Sequence, residues 1–233
     1  EELNRVLTDH LATLNLTSTS TATAHLATEG IDGDRVLEVG DVMYDAALFY
    51  GERAGERGEL LARLGVESGA FLLATTHRAE NTDDPDRMNA IVEAFIELGR
   101  DHSIVLPLHP RTRAVLEGSG DLERLADSIT LCEPLGYLDM VALERDAALV
   151  VTDSGGVQKE AFFHGTPCVT LRDETEWVEL VDAGWNTIVP PCAAADIVSG
   201  VRDSIGTRGS DIEPYGRGNA AERVVDALVG VHA

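Results

Sequence analysis

Lysine is almost absent. Of 18 basic residues one, Lys159, is lysine and the rest are arginine, against 41 acidic residues and a net charge of −23. A surface of that sign repels nucleic acid and anionic membranes, so neither is an expected partner. The acids are spread along the chain and form no acidic tail, which points to a protein kept soluble by salt, as in a halophile's cytoplasm, with a simply acidic mesophile protein as the other reading. Cysteine is scarce: Cys132, Cys168 and Cys192 stand far apart without a CxxC or Cys/His spacing. That argues against both a structural zinc site and a disulfide framework and fits a reducing cytoplasm. No apolar run reaches 18 residues, so no membrane-spanning helix is expected. The chain opens on Glu1 inside what reads as an ordinary helix, with no signal peptide, as a piece of a longer protein does.

What is present is a globular composition, 44% hydrophobic over 233 residues. The run TSTSTAT (17–23) supplies a helix N-cap, residues 24–29 the helix body and Gly30 its end. From residue 35 short apolar strands alternate with helices. Strands are expected at 35–40, 69–77, 103–110, 128–134, 148–156, 166–172 and 185–190, with helices at 41–50, 81–100, 137–147 and 157–165. Asp83 or Asp84 caps the second of these helices, and Pro85 sits in its first turn. Strands that are nearly all apolar, separated by helices, predict an α/β fold. Its core is a doubly wound, Rossmann-like parallel sheet of six or seven strands.

Ligands of such sheets bind beyond the strands' carboxyl ends. The residues there are Gly40 and Asp41; Thr76, His77, Arg78, Glu80 and Asn81; His109, Pro110 and Arg111; Glu133 and Pro134; Asp153 to Gly156; and Arg172 to Glu174. TDSGG leading into a helix is the best phosphate site. Gly155 and Gly156 let an oxyanion approach the backbone, the helix N-terminus favours negative charge, and Ser154 adds a hydroxyl. A plain helix cap is the simpler reading of the same residues. Glu160, further along that helix, could bond ribose hydroxyls, although a helical glutamate is more often a solvated one. His77 ends a buried strand where a general acid or base could sit, or where a structural histidine could. His109 has a similar place. His10, His25, His102, His164 and His232 read as surface or capping residues. Arg78 and Arg111 could attract phosphate or pair with nearby acids.

GRGNAA (216–221) matches a dinucleotide pattern but follows no strand, so it reads as a turn and helix start. Asp173 and Glu174 lack partners at ligand spacing, so no metal is expected.

The segments TTHRAENTDDPDR (75–87), PLHPRTR (107–113), EPLGYLDM (133–140), TDSGGVQKEAFFHGTPCVTLRDETEW (152–177) and AGWN (183–186) resemble the non-hydrolysing UDP-N-acetylglucosamine 2-epimerases. The likeness runs from EELNRVLTDHL (1–11) to YGRGNAAERV (215–224). It implies a two-domain GT-B architecture with a UDP-sugar in the cleft. It also implies inversion at C2 without metal or nicotinamide, by anti elimination of UDP to a glycal and re-addition, in the service of surface polysaccharide or glycan synthesis. Carried over by motif, it places the active-site histidine at His77, the UDP-phosphate loop at Ser154, Gly155 and Gly156, and the ribose-binding glutamate at Glu160. The uracil border falls from Leu135 to Met140, and Arg78 matches a contact to a regulatory UDP-sugar.

By the same resemblance this chain is the C-terminal half of the architecture. Residues 1–39 are a remnant of the N-terminal domain, 40–215 the UDP-binding domain and 216–233 a helix crossing back; the full-length protein is a homodimer. The missing domain carries the groups assigned to proton transfer at C2, so this piece alone is expected to be inactive. Trp177 stands where many members have arginine, a variant shared with UDP-diacetamido-glucuronate 2-epimerases. Besides these two epimerase readings, a GT-B glycosyltransferase and an inactive UDP-binding fragment remain open.

Overall fold

The structure, a computed structural model, describes residues 2–54 and 58–231; His232 lies outside them. In chain order the elements are α1 (Glu2–Leu11), β1 (Asn15–Thr17), α2 (Ser20–Thr28), β2 (Val36–Glu38), α3 (Val42–Ala54), α4 (Gly58–Leu64), β3 (Phe71–Thr75), α5 (Ala79–Thr82), α6 (Pro85–Leu98), β4 (Ser103–Pro107), α7 (Pro110–Ser119), α8 (Asp121–Ala126), β5 (Thr130–Cys132), α9 (Tyr137–Asp146), β6 (Leu149–Thr152), α10 (Gly155–Phe163), β7 (Cys168–Thr170), α11 (Val178–Asp182), β8 (Asn186–Ile188), α12 (Ala194–Ser204) and α13 (Ala220–Val231). They form two compact units, 1–49 with 211–233 and 50–210.

The larger unit is built on six parallel strands in the order β5-β4-β3-β6-β7-β8. The chain winds outward from β3 to β5, returns to β6 on the other side of β3, and winds outward again to β8. That is the doubly wound arrangement, with its topological switch point between β3 and β6. Alternate strand residues feed opposite faces. Leu72, Ala74, Ile104, Leu106, Leu149 and Val151 pack with Ile91, Phe95 and Leu98 of α6 and with Ile197 and Val201 of α12. Phe71, Leu73, Val105 and Val150 pack with Leu60, Leu61 and Leu64 of α4, Leu143 of α9 and Ala161 of α10. Asp84 caps α6, accepting from the amides of Asp86 and Arg87, with Pro85 in the first turn.

The smaller unit corrects one expectation. The strand read at 35–40 is β2, which pairs in parallel with β1 and not with the main sheet. Its Leu37 and Glu38 are exposed, so it lacks the two-sided burial of an inner strand. Gly40 and Asp41 therefore serve local structure. Gly40 has φ +91°, and a Cβ there would stand 3.0 Å from the carbonyl of Tyr215, which accepts from the Asp41 amide. The GRGNAA segment is a turn and helix start: the first amides of α13 donate to the Asp45 carboxylate at 3.1 and 2.7 Å. Thr17, read as part of the helix-capping run, belongs to β1, and Thr19 is the residue that caps α2.

Candidate functional site

β3 and β6 lie side by side in register, Thr75 opposite Thr152, and their hydroxyls pair at 2.6 Å. Just past this pair each strand releases its polar residues. Beyond β3, Thr76 is buried, His77 is half-buried and Arg78 leads into α5. Beyond β6, Asp153 is fully buried and Ser154 caps α10. The sheet topology thus brings His77, Arg78 and the Ser154–Gly155–Gly156 loop, far apart in sequence, to the switch point.

Asp153 joins the two segments. Its carboxylate accepts from Thr76 Oγ1 at 3.0 Å, the His77 amide at 3.0 and 3.2 Å, the Arg78 amide at 3.0 Å and Asn81 Nδ2 at 3.1 Å. Asn81 also donates to the Leu171 carbonyl, tying in the end of β7. His77 Nδ1 faces Asp153 Oδ1 at 3.5 Å. The His77 ring lies 5.3 Å from that of His109, whose Nδ1 accepts from the Arg111 amide at the start of α7.

At α10 the Ser154 hydroxyl accepts from the Val157 amide at 3.5 Å, a long bond. The amides of Gly155 and Gly156 have no partner inside the helix they begin. The Trp177 indole N–H donates to the Gly155 carbonyl at 2.8 Å, and the buried Lys159 ammonium lies 4.2 Å from the Trp177 ring centre. Arg78 also reaches the loop: a Cβ on Gly155 would stand 3.9 Å from its Nη2, 3.8 Å from Glu176 Oε2 and 3.6 Å from Trp177 Nε1. Glu176 is fixed by two bonds from the buried Arg172, and these bonds, helped by the Arg172 charge, hold its carboxyl below the usual range.

Glu160 lies further along α10 and is not the solvated helical glutamate its position alone suggests. Burial raises its carboxyl, against the Tyr137 hydroxyl that bonds it and the Lys159 charge. Glu144 of α9 is almost wholly buried, with Oε2 unpartnered, and burial and then the Glu160 charge push its carboxyl well up. Leu135 and Met140 are half-buried against the cluster on the α4 face.

Other candidates separate from this group. Arg111 is bound to both oxygens of Asp83 and to Thr82. Asp173 pairs with Arg87 at 2.6 Å. Among the described residues no group of three His, Cys, Asp or Glu side chains is placed to hold a metal, and no helix is long and apolar enough to cross a membrane. His164 holds a capping position after α10, where burial and the Arg145 charge bring its imidazole down to about 4. A cavity of about 630 Å³ in the smaller unit is lined by Arg5, which Glu2, Asp9 and Glu29 engage; it gathers no catalytic set. Asp153 and Asn81 stood among the strand-end residues and Tyr137 within the Leu135–Met140 segment, without a role of their own, and Glu144 was not singled out by the sequence. The signal for Asp153 was a charged residue directly after a buried strand.

A family model for UDP-N-acetylglucosamine 2-epimerase matches residues 1–229. The chain is 47% identical to a UDP-2,3-diacetamido-2,3-dideoxy-D-glucuronate 2-epimerase of Pseudomonas aeruginosa, over 98% of this chain and 63% of that one. It is 36% identical to a UDP-N-acetylglucosamine 2-epimerase of Methanocaldococcus jannaschii, over 98% and 64%. The crystal structure of a Methanocaldococcus jannaschii UDP-GlcNAc 2-epimerase with UDP-GlcNAc and UDP superposes with TM-score 0.88 at 36% identity, covering 99% of this chain and 64% of that one. That of the Neisseria meningitidis enzyme bound to UDP-GlcNAc superposes with TM-score 0.86 at 28% identity, over 99% and 65%. The chain thus spans less than two thirds of the length of these relatives, and its fold is that of the C-terminal half of the GT-B epimerases.

Proposed function

Since the chain belongs to the UDP-N-acetylglucosamine 2-epimerase family, we infer that it holds the nucleotide half of a non-hydrolysing 2-epimerase that interconverts UDP-GlcNAc and UDP-ManNAc for polysaccharide or glycan precursor synthesis. The observation that carries this reading is the meeting of His77 and the Ser154–Gly156 helix start at the switch point, where the carboxylate of Asp153, the residue before Ser154, holds the His77 and Arg78 amides. Elimination removes the C2 proton and breaks the C1–O bond, whose electron pair goes to a β-phosphate oxygen of UDP. The charge that gathers there is stabilised by the Gly155 and Gly156 amides, the Ser154 hydroxyl and the positive end of α10. His77 gives its proton to that oxygen and takes it back on re-addition. Glu160 bonds the ribose hydroxyls after releasing Tyr137, the Leu135–Met140 segment borders the uracil, and Arg78 contacts a phosphate or a second UDP-sugar. The C2 base belongs to the remainder of the whole enzyme, as does the companion domain to which residues 1–39 and the 216–233 helix are assigned. The whole enzyme acts as a cytoplasmic homodimer.

A second substrate is favoured by one observation. Trp177 takes the place of the family's arginine, and the Pseudomonas aeruginosa relative acts on a diacetamido-glucuronate. Relative kcat/KM on the two UDP-sugars decides between them.

The test of the main reading is titration with UDP in high KCl, paired with an acceptor-free assay of C2 epimerisation. UDP binding by this chain without turnover, and turnover once the remainder of the enzyme is restored, is the expected result. His77→Ala in the restored enzyme lowers kcat at least a hundredfold while UDP affinity stays within about threefold. Absence of UDP binding sinks the reading. Turnover that needs a sugar acceptor replaces it with a glycosyltransferase.

A further inference from the structure

Resting on the reading of His77 as the acid, we propose that Asp153 is its positioning residue, fixing the imidazole with Nδ1–H turned inward and Nε2 left for the phosphate oxygen. The two oxygens of this fully buried carboxylate are unequally used. Oδ2 takes Thr76 Oγ1, the His77 and Arg78 amides and Asn81 Nδ2. Among the described residues Oδ1 takes only a second, longer approach of the His77 amide at 3.2 Å, and it is Oδ1 that faces His77 Nδ1 at 3.5 Å. A ring nitrogen facing a carboxylate is stable as N–H and repelled as a lone pair. The distance is long for a hydrogen bond, as catalytic contacts are before substrate closes them.

His109 supplies the contrast. Its Nδ1 accepts the Arg111 amide at 3.2 Å, so that nitrogen is bare and Nε2 carries the proton. Two rings 5.3 Å apart therefore hold opposite tautomers. The tautomer matters to a reversible elimination. When imidazolium His77 gives its Nε2 proton to the departing β-phosphate oxygen, the neutral ring left behind is the Nδ1–H form. On re-addition the same Nε2 lone pair takes the proton back. A ring that relaxed to Nε2–H would present a proton where an acceptor is needed. Asp153 also balances the imidazolium charge.

The test is nitrogen-detected imidazole NMR on this chain, labelled at histidine and held in high KCl at pH 8.5, above the ordinary imidazole range. His77→Gln and His109→Gln assign the signals. The expected result is Nδ1–H at His77, favoured by about tenfold, the ratio a hydrogen bond to a charged group sustains, with Nε2–H at His109. Asp153→Asn is expected to shift His77 toward Nε2–H while α-helical circular dichroism persists. Nε2–H at His77 in the wild type overturns the proposal, and so does Nδ1–H that survives unchanged in a folded Asp153→Asn. Should that variant fail to fold, the wild-type tautomer decides alone. No substrate is involved, so full turnover by His77→Gln in the restored enzyme would sink the acid role and leave this result standing.

Discussion

Gly155 is permissive in the structure as it stands. Its φ is not positive, and a Cβ there would meet nothing nearer than 3.6 Å. Packing does not require glycine at this position, so the reason for one lies with something that approaches the loop. Gly155→Ala should therefore keep or slightly raise the melting temperature, by the about 0.4–1 kcal/mol that a compatible Gly→Ala change gives. UDP affinity should fall about tenfold to a hundredfold, the loss of one charge-assisted bond. Calorimetric melting and UDP titration of the same sample check both halves; unchanged affinity removes the loop from the phosphate site. Glu144 offers a second test. Its carboxyl is raised by burial and by Glu160, so the native state keeps a proton that the unfolded chain loses near the ordinary glutamate value of about 4.3. Stability contributed by the neutral form is complete below that value and declines as pH rises toward the raised native one. Glu144→Gln removes the ionisation. The stability difference between variant and wild type should shift in favour of Gln as pH rises from about 5 to 8, by urea unfolding at each pH. A difference that does not change with pH would show that Glu144 keeps its ordinary titration.

At the scale of elements, the strand ends set the site. Thr75 and Thr152 share a buried bond, and Thr152 Oγ1 also accepts the Ser154 amide at 2.9 Å. Thr152→Val keeps the shape and leaves both a hydroxyl and an amide without their partner, at a cost of about 1–3 kcal/mol. Because that amide belongs to the cap of α10, UDP binding should weaken as well. Chemical denaturation with UDP titration reads both, and a variant as stable as the wild type would mean that water replaces the hydroxyl. The same elements show what the sequence could and could not tell. β3, β4, β6 and β7 were legible because they are short, apolar and bounded by polar residues, and α6 because Pro85 and Asp84 mark its start. The three-residue β1 was not, since Asn15–Thr17 has neither length nor alternation. The strand at 36–38 ran on in the same alternation as the main-sheet strands, and its pairing with β1 could not be read, because partner choice is a long-range matter that local pattern does not carry. His77 and the Ser154–Gly156 loop were read from their positions at strand ends. That the carboxylate of Asp153, next to the loop, holds the His77 amide depends on β3 and β6 becoming neighbours, a contact across 76 residues, which spacing alone cannot say.

At the scale of the whole molecule, the charge imbalance governs stability. If every basic side chain paired with an acid, 23 acids would still be left without one (41 acidic less 18 basic). Ion pairs such as Arg124 with Glu93 and Asp121 or Arg202 with Asp101 lie on the surface, where a pair contributes about 0–1 kcal/mol. Salt weakens these pairs and the repulsion among the unpaired acids together. Since the acids are in large excess, the loss of repulsion outweighs the loss of pairing. Screening length falls from about 10 Å at 0.1 M to about 3 Å at 1 M. The melting temperature should therefore climb steeply over that range of KCl, and sucrose at matched osmolality should not reproduce the climb. The ligand is itself an anion approaching a molecule of −23, so KCl over the same range should leave UDP affinity undiminished or raise it. A phosphate site on a basic protein would lose affinity under the same conditions. A melting temperature that is flat or falling with KCl would show that the acids are tolerated without salt, and the expectation of a salt-rich cell interior would go with it.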